Sequence, residues 1–392
     1  MKLKIILSKT KGKLLKGYYN SKMQQKEKLI ENVLKNTQVS NNEIVFESEG
    51  DFSDNARALY EYMLKKKLNK KYKIIWIVDE PNNYKNEFNV KFISRKIKTK
   101  KEIQNFYEII GKAKYLFFTH PFWYKKENKD QVIINLWHGI PLKAGGKDIH
   151  TTFDYITVPS EFSKNLFHKF IGSVESQYII TGSPRTDLMF EKNNSLKKIT
   201  KLNNNTKAII CMTTFKQSTY MKDSDIIYPF VLPFIENINE LKILNDNLKK
   251  LNIKLIIKIH HLQKTDLLST ITLSNILYIE DKDLNEKGIQ LYELIGQTDA
   301  LITDYSSIMF DYMLLNRPIG YFINDLEEYK EKRGFLVEDI DSYMIGKKMK
   351  SKEEFNDFLE EIINGKDQYK KEREKFAKKC INIMTIIIAN EY

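Results

Sequence analysis

From residue 43 the chain repeats one short pattern. An apolar run of five to eight residues is followed by a helical stretch of about 10–15, and then the next apolar run begins. EIVFES, KIIWIVD (73–79), VKFIS (90–94), KYLFFT (114–119), QVIINLW (131–137), the centre of TFDYITVPS and QYIITGS (177–183) are the first set of runs. SDNARALYEYMLKKKL, opening on Ser53 as a cap, KEIQNFYEIIGKA, and SEFSKNLFHKF, opening on Ser160, are helices between them. Continuously apolar strands alternating with helices require a parallel sheet covered on both faces, because a parallel connection needs a crossover and a helix supplies it.

The pattern stops at KNNSLKKITKLNNNTK (192–207), which is polar and rich in Asn and Lys, and then restarts. AIICMTTF (208–215), KLIIKIH (254–260), NILYIED (275–281), DALITD (299–304) and PIGYFI (318–323), the last strand expected, form the second set. YPFVLPFIENINELKILNDNLKKL, LYELIGQT and SSIMFDYMLLN are expected to be helical, as is most of the chain from 351 to the end. The expected organisation is a basic helical segment over 1–42, one Rossmann-like domain over 43–191, a second over 208–350, and C-terminal helices over 351–392. The α/β halves are expected to face each other across a cleft. In such sheets ligands bind beyond the carboxyl ends of the strands, so the loops at those ends carry the search for function.

Charge and cysteines narrow the class. The 392 residues carry a net charge of +13, which suits a phosphorylated substrate, an anionic membrane surface or nucleic acid, and equally a solvated basic surface. Cys211 and Cys380 stand far apart without metal-ligating neighbours and are expected to be reduced thiols of a cytosolic protein. The start, MKLKIILSKTKGKLLKGYY, has its apolar stretch broken by lysines and fits neither a signal peptide nor a spanning helix. Its acid-poor stretch from Lys2 to Lys28, with Leu14, Leu15, Tyr18 and Tyr19, suits contact with an anionic membrane or packing on its own domain.

Three strand ends hold unusual chemistry. His138 follows QVIINLW among Gly139, Lys143, Gly145 and Gly146; a neutral imidazole there could take a proton from an alcohol, or simply occupy a turn. Lys258 and His260 alternate onto one face at the end of KLIIKIH, a pairing suited to phosphate oxygens or to an ordinary sheet edge. Thr303, Asp304, Tyr305, Ser306 and Ser307 join a strand to a helix, where free N–H groups and hydroxyls suit a phosphate or merely cap the helix. Arg185 in TGSPRTD and Thr214 and Lys216 in TTFKQST are further candidate phosphate contacts, and Asp311, one turn into the helix, is either a group that orients a substrate hydroxyl or an ordinary helix carboxylate. No P-loop, GxGxxG or zinc-ligand spacing occurs, which weighs against an ATPase, a dehydrogenase and a zinc enzyme.

FESEGDFSDNARALYEYM (46–63), WHGIPLKAGGKD, TGSPRTD, KIHH and ITDYSSIMFDYMLLNRP, in this order, resemble the CDP-glycerol glycerophosphotransferase family of teichoic acid and capsule synthesis. The resemblance covers most of residues 43–335. It implies a GT-B-type architecture and transfer of glycerol phosphate from CDP-glycerol to a hydroxyl of a lipid-linked acceptor, with release of CMP. It implies that His138 and His260 are the family's two essential histidines and that Thr303 to Ser307 form the donor-phosphate loop. It also implies an anionic membrane surface as partner, no nucleic acid, and a peripheral place on the cytoplasmic face of the membrane. Mg²⁺ paired with the phosphates would assist, although the sequence shows no dedicated carboxylate cage.

Two departures stand out. Thr213-Thr214-Phe215-Lys216 replaces the family's usual Pro-Thr-Phe-Arg, keeping the charge but losing the bidentate fork. After Phe335 the family's acidic Pro-Gly segment is altered to LVEDIDSYMIG. They leave the head group open between glycerol, ribitol and another alditol or sugar phosphate. A glycosyltransferase of the same fold using a UDP- or CMP-sugar, and an inactive membrane-tethered binding protein, are the alternatives.

Overall fold

A computed structural model of the chain describes residues 22–145, 149, 152–203, 205–214, 228–260, 268 and 271–380. Lys216, Gly146, His261, residues 1–21 of the basic segment and the stretch from 381 onward lie outside the described residues.

Among the described residues, thirteen strands form two parallel sheets. The first contains β1 (Ser40–Glu47), β2 (Lys73–Val78), β3 (Val90–Ser94), β4 (Ala113–Phe118), β5 (Val132–Asn135), β6 (Tyr155–Val158) and β7 (Tyr178–Ile180), in the order β3-β2-β1-β4-β5-β6-β7. The second contains β8 (Lys207–Met212), β9 (Ile253–Lys258), β10 (Ile276–Ile279), β11 (Ala300–Thr303), β12 (Ile319–Phe322) and β13 (Lys347–Met349), in the order β10-β9-β8-β11-β12-β13. Each order reverses direction beside its first strand, which marks a doubly wound α/β sheet with its switch point between β1 and β4, or between β8 and β11. The expected fold class of two parallel α/β sheets is therefore the observed one.

The chain divides into two compact units, one running to Leu136 with Thr152–Tyr155, the other taking Trp137–Thr151 and Ile156 onward. Each has a core built on its own strands. In the first, Phe46 stacks on Trp76 and Phe117, with ring centroids 5.2 and 5.0 Å apart, and Trp76 is fully buried. Such pairs add about 0.5–1.5 kcal/mol each beyond the area they bury. In the second, Ile209, Cys211, Leu255, Ile257 and Ile302 bury side chains from β8, β9 and β11 against the helices Ile238–Lys250 and Lys352–Ile363. Both faces of these strands are covered, which is why the sequence shows them as unbroken apolar runs.

Helix starts follow local chemistry. Ser160 accepts the Ser163 N–H and caps its helix as expected. Ser53 does not cap through its side chain; its hydroxyl donates to the carbonyls of Glu49 and Gly50 instead. The helical reading of 228–251 holds only for Ile238–Lys250. The preceding YPFVLPFIEN is irregular, with Val231 and Phe234 at φ 64° and 66°, because Pro229 and Pro233 cannot sit in a helix interior. β13 was not expected, whereas the helix at residues 22–36 falls within the segment expected to be helical. No helix among the described residues is long and apolar enough to cross a membrane.

Candidate active site

The site is built within the second unit, from the turn that begins at Trp137 and the loop that follows β11. After β5 the backbone turns through Trp137 at φ 51° and Gly139 at φ 147°. A tryptophan in the left-handed region is strained by about 1–3 kcal/mol and persists only when its surroundings hold it. The turn delivers His138 to the surface, where its imidazole stacks on the Trp137 indole at 4.7 Å and 20°. Downstream, the Leu142 carbonyl accepts the Leu336 N–H at 2.7 Å and the Ala144 N–H donates to the Gly334 carbonyl at 3.1 Å. Lys143 pairs with Phe335 in an isolated bridge, and its ammonium lies 5.9 Å from the Tyr329 ring centroid.

After β11, Thr303 to Ser307 lead into the helix Ile308–Met313. The Thr303 hydroxyl donates to the Met212 carbonyl at 2.7 Å, tying β11 to β8. Buried Asp304 accepts the Thr214 N–H at 2.9 Å and the Thr214 hydroxyl at 2.7 Å. The Tyr305 hydroxyl donates to Asp325 at 3.0 Å; burial, reinforced by Asp325, pushes that phenol far above its ordinary range, so it stays a neutral donor. Ser306 and Ser307 are half-buried. Ser307 occupies the N-cap position, but its hydroxyl makes no capping bond to the helix. That hydroxyl lies instead against Gly139: a Cβ added to the glycine would fall 2.5 Å from Ser307 Oγ. The histidine loop and the serine loop therefore touch, and glycine is the residue that lets them.

Arg185 and Asp311 meet each other inside the protein. Their side chains are buried and committed to each other, Nη2 to Oδ2 at 2.8 Å, rather than open to a substrate. Arg185 Nη1 also donates to the His138 carbonyl at 2.8 Å, and the Tyr292 hydroxyl donates to the same Asp311 oxygen at 2.5 Å. Lys258 is likewise committed: its buried ammonium meets Asp281 at 2.9 Å and donates to the Ile259 carbonyl. A buried cation needs a partner, and here another part of the chain supplies it before any ligand does. His260 follows the end of β9, half-buried; β9 is the neighbour of β8, whose following loop carries Thr214.

The structure thus draws His138, Gly139, Arg185, Ser307 and Asp311 into one contiguous cluster, and Thr214, Thr303 and Asp304 into a second joined to it through the serine loop. Tyr292, Asp281 and Asp325 take part and were not expected. Asp281 closes the NILYIED run, a signal of the strand-end kind; Tyr292 and Asp325 carry no local signal. A small concavity at the ends of β8, β11 and β12 is lined by Thr213, Tyr228, Asp304, Asn324 and Asp325 among others. Among the described residues no group of three or more His, Cys, Asp or Glu is placed to hold a metal ion.

An exposed imidazole on a braced turn, set against a hydroxyl-bearing loop that follows a parallel strand, suits group-transfer chemistry. The chain belongs to the CDP-glycerol:poly(glycerophosphate) glycerophosphotransferase family, whose profile matches residues 30–384. It is 26% identical over 334 residues to the teichoic acid poly(glycerol phosphate) polymerase of Bacillus spizizenii, covering 75% of this chain and 77% of that one. It is 26% identical over 379 residues to the teichoic acid glycerol-phosphate transferase of Staphylococcus aureus, covering 87% and 89%. The fold matches a solved structure of the wall teichoic acid polymerase TagF with a TM-score of 0.72 at 22% identity, covering 94% of this chain and 92% of that one.

Proposed function

We propose that this chain transfers glycerol phosphate, or a closely related alditol phosphate, from CDP-glycerol to a hydroxyl of a lipid-linked acceptor in teichoic acid or capsular polymer synthesis. The acceptor oxygen attacks the phosphorus that bears the glycerol. A new P–O bond forms there, the P–O bond to the cytidylate breaks, and the electron pair leaves on CMP. The acceptor proton passes to His138, the general base. In such transfers the protein mainly positions reactants and stabilises spreading charge. Ser306, Ser307 and the N–H groups beside them hold the pyrophosphate, with His260 on the departing phosphate and Lys143 and Lys216 as cations. Mg²⁺ would act as a partner of the donor's phosphates rather than in a site built by the described residues.

The observation that carries the reading is the contact between the His138 turn and the Ser307 loop: base and donor loop sit side by side. The family membership supports the donor. The same reading puts the enzyme on the cytoplasmic face of the membrane, where the basic stretch from Lys2 to Lys28 would hold it. The test is CMP release from CDP-glycerol, CDP-ribitol and UDP-sugars in the presence of lipid-linked disaccharide or glycerol-phosphate acceptors. CDP-glycerol is expected to turn over, and His138→Ala to lower the rate by about 10²–10⁴-fold with donor affinity kept. Turnover of a UDP-sugar alone would replace the donor; parallel loss of donor binding in His138→Ala would make His138 a phosphate ligand.

A further inference from the structure

The proposed reaction gives Arg185 nothing to do, yet Arg185 is among the most deeply buried cations of the described residues, 4% exposed. A buried ion pair is weak evidence for stability, since apolar residues of the same volume often serve as well. Its geometry says more. A guanidinium offers its N–H donors in a rigid fork. One arm, Nη1, holds the His138 carbonyl at 2.8 Å; the other, Nη2, holds Asp311 at 2.8 Å. Asp311 is fixed in turn by the Tyr292 hydroxyl, and the guanidinium carbon lies 4.7 Å over the Tyr292 ring. Asp311 sits one helical turn beyond Ser307, on the helix that the serine loop opens.

The carbonyl that Arg185 grips belongs to the peptide between His138 and Gly139. That peptide is flanked by the left-handed Trp137 and by Gly139 at φ 147°. Glycine tolerates either orientation of such a peptide, so nothing in its own stereochemistry prevents a flip. A flip would re-aim the His138 side chain. The Arg185 hydrogen bond is what holds the carbonyl in one orientation, and Asp311 refers that orientation to the donor-loop helix.

We infer that Arg185 and Asp311 are positioning residues: a guanidinium strut that fixes the His138–Gly139 peptide and sets the imidazole at one height above the Ser306–Ser307 loop. The inference rests on the reading of His138 as the base. A lysine at 185 has one ammonium and no fork, so it holds Asp311 or the carbonyl, not both in this geometry.

The test uses the full chain and three variants. Arg185→Lys breaks the fork. Arg185→Gln with Asp311→Asn removes both charges together, so that neither is left buried alone. Tyr292→Phe keeps the ring and deletes one hydrogen bond to Asp311. Arg185→Lys and the double variant should lower kcat for CMP release by about 10²-fold, the scale of a base misplaced by 1 Å, with the KM and Kd for CDP-glycerol within about threefold. Tyr292→Phe should show the same split at about a tenth of the size. In a His138→Ala background Arg185→Lys should have little further effect, because the strut acts through that residue. A raised donor Kd with kcat kept, or full additivity with His138→Ala, overturns the strut. A second readout is independent of the donor: the His138 ring signal of ¹³C-histidine-labelled protein, assigned by its loss in His138→Asn. It should shift or broaden in Arg185→Lys and in the double variant. An unchanged signal overturns the inference even if CDP-glycerol proves the wrong donor, whereas a shifted signal with no CDP-glycerol turnover rejects only the donor.

Discussion

Replacing Gly139 by alanine should damage the site twice over. The glycine sits at φ 147°, which L residues rarely adopt, and strain of this kind amounts to about 1–3 kcal/mol. The new Cβ would also fall 2.5 Å from Ser307 Oγ, 3.3 Å from Ser307 Cβ and 3.4 Å from Arg185 Nη2. Contacts under 3.0 Å do not occur, so the serine loop or the histidine turn must move, and overpacking typically adds about 1–3 kcal/mol. The two effects together predict a loss of about 2–6 kcal/mol. Removing the hydroxyl with Ser307→Ala relieves the shortest contact but not the backbone strain, so the Gly139→Ala, Ser307→Ala pair should recover part of the loss and never all of it. Activity should fall further than stability explains if the displaced groups are the proposed base and donor loop; a shift of 1 Å is worth about 10²-fold. Urea unfolding gives the first quantity and CMP release the second. If Gly139→Ala unfolds within about 0.5 kcal/mol of the parent and keeps its rate, the close approach of the two loops is not part of the working enzyme.

Ser306→Ala with Ser307→Ala should weaken CDP-glycerol binding by roughly 1.5–3 kcal/mol per lost hydrogen bond to a charged group, read by calorimetry; an unchanged Kd would remove the loop from the pyrophosphate site. Glu47, 1% exposed at the end of β1, is held above the usual carboxylate range by burial, against the opposing pull of Arg95. The folded chain thus binds that proton more tightly than the unfolded one, so the contribution is present below the unfolded pKa and lost as pH rises through the folded value. Glu47→Gln should therefore lose less stability than the parent between about pH 4.3 and neutrality, starting at the unfolded carboxyl value; parallel unfolding curves across that range would contradict it. The full chain should sediment with anionic vesicles at low salt and less at high salt, each basic residue at the surface contributing about 1 kcal/mol. A version lacking residues 1–28 that binds as well would place the contact elsewhere.

The strands were legible because a doubly wound sheet buries both faces, so AIICM and KLIIK announce themselves without any knowledge of their neighbours. β13 was not, because Lys347-Lys348-Met349 owes its conformation to the edge of β12 and not to its own residues. The apolar spacing of YPFVLPF suits a helix, but its two prolines exclude one. The site divides in the same way. His138, Ser306 and Ser307 could be picked out by place alone, since strand ends are where α/β sheets present chemistry. The duties of the charged residues could not. Arg185 and Asp311 stand 126 positions apart, and nothing local in TGSPRTD says that its arginine will meet a carboxylate inside the protein and not a phosphate outside it. The cost of burying a charge decides such cases: a cation that the fold encloses must find its counter-charge within the chain, and Lys258 with Asp281 repeats the point. Residue type and position locate a site, but which of its cations remain for a ligand depends on long-range pairing. Of the phosphate-binding cations expected from the sequence, Arg185 and Lys258 are committed internally. In the proposed reaction the donor's charge is therefore left to His260 and Lys143 among the described residues, with the backbone and hydroxyls of the serine loop as neutral donors.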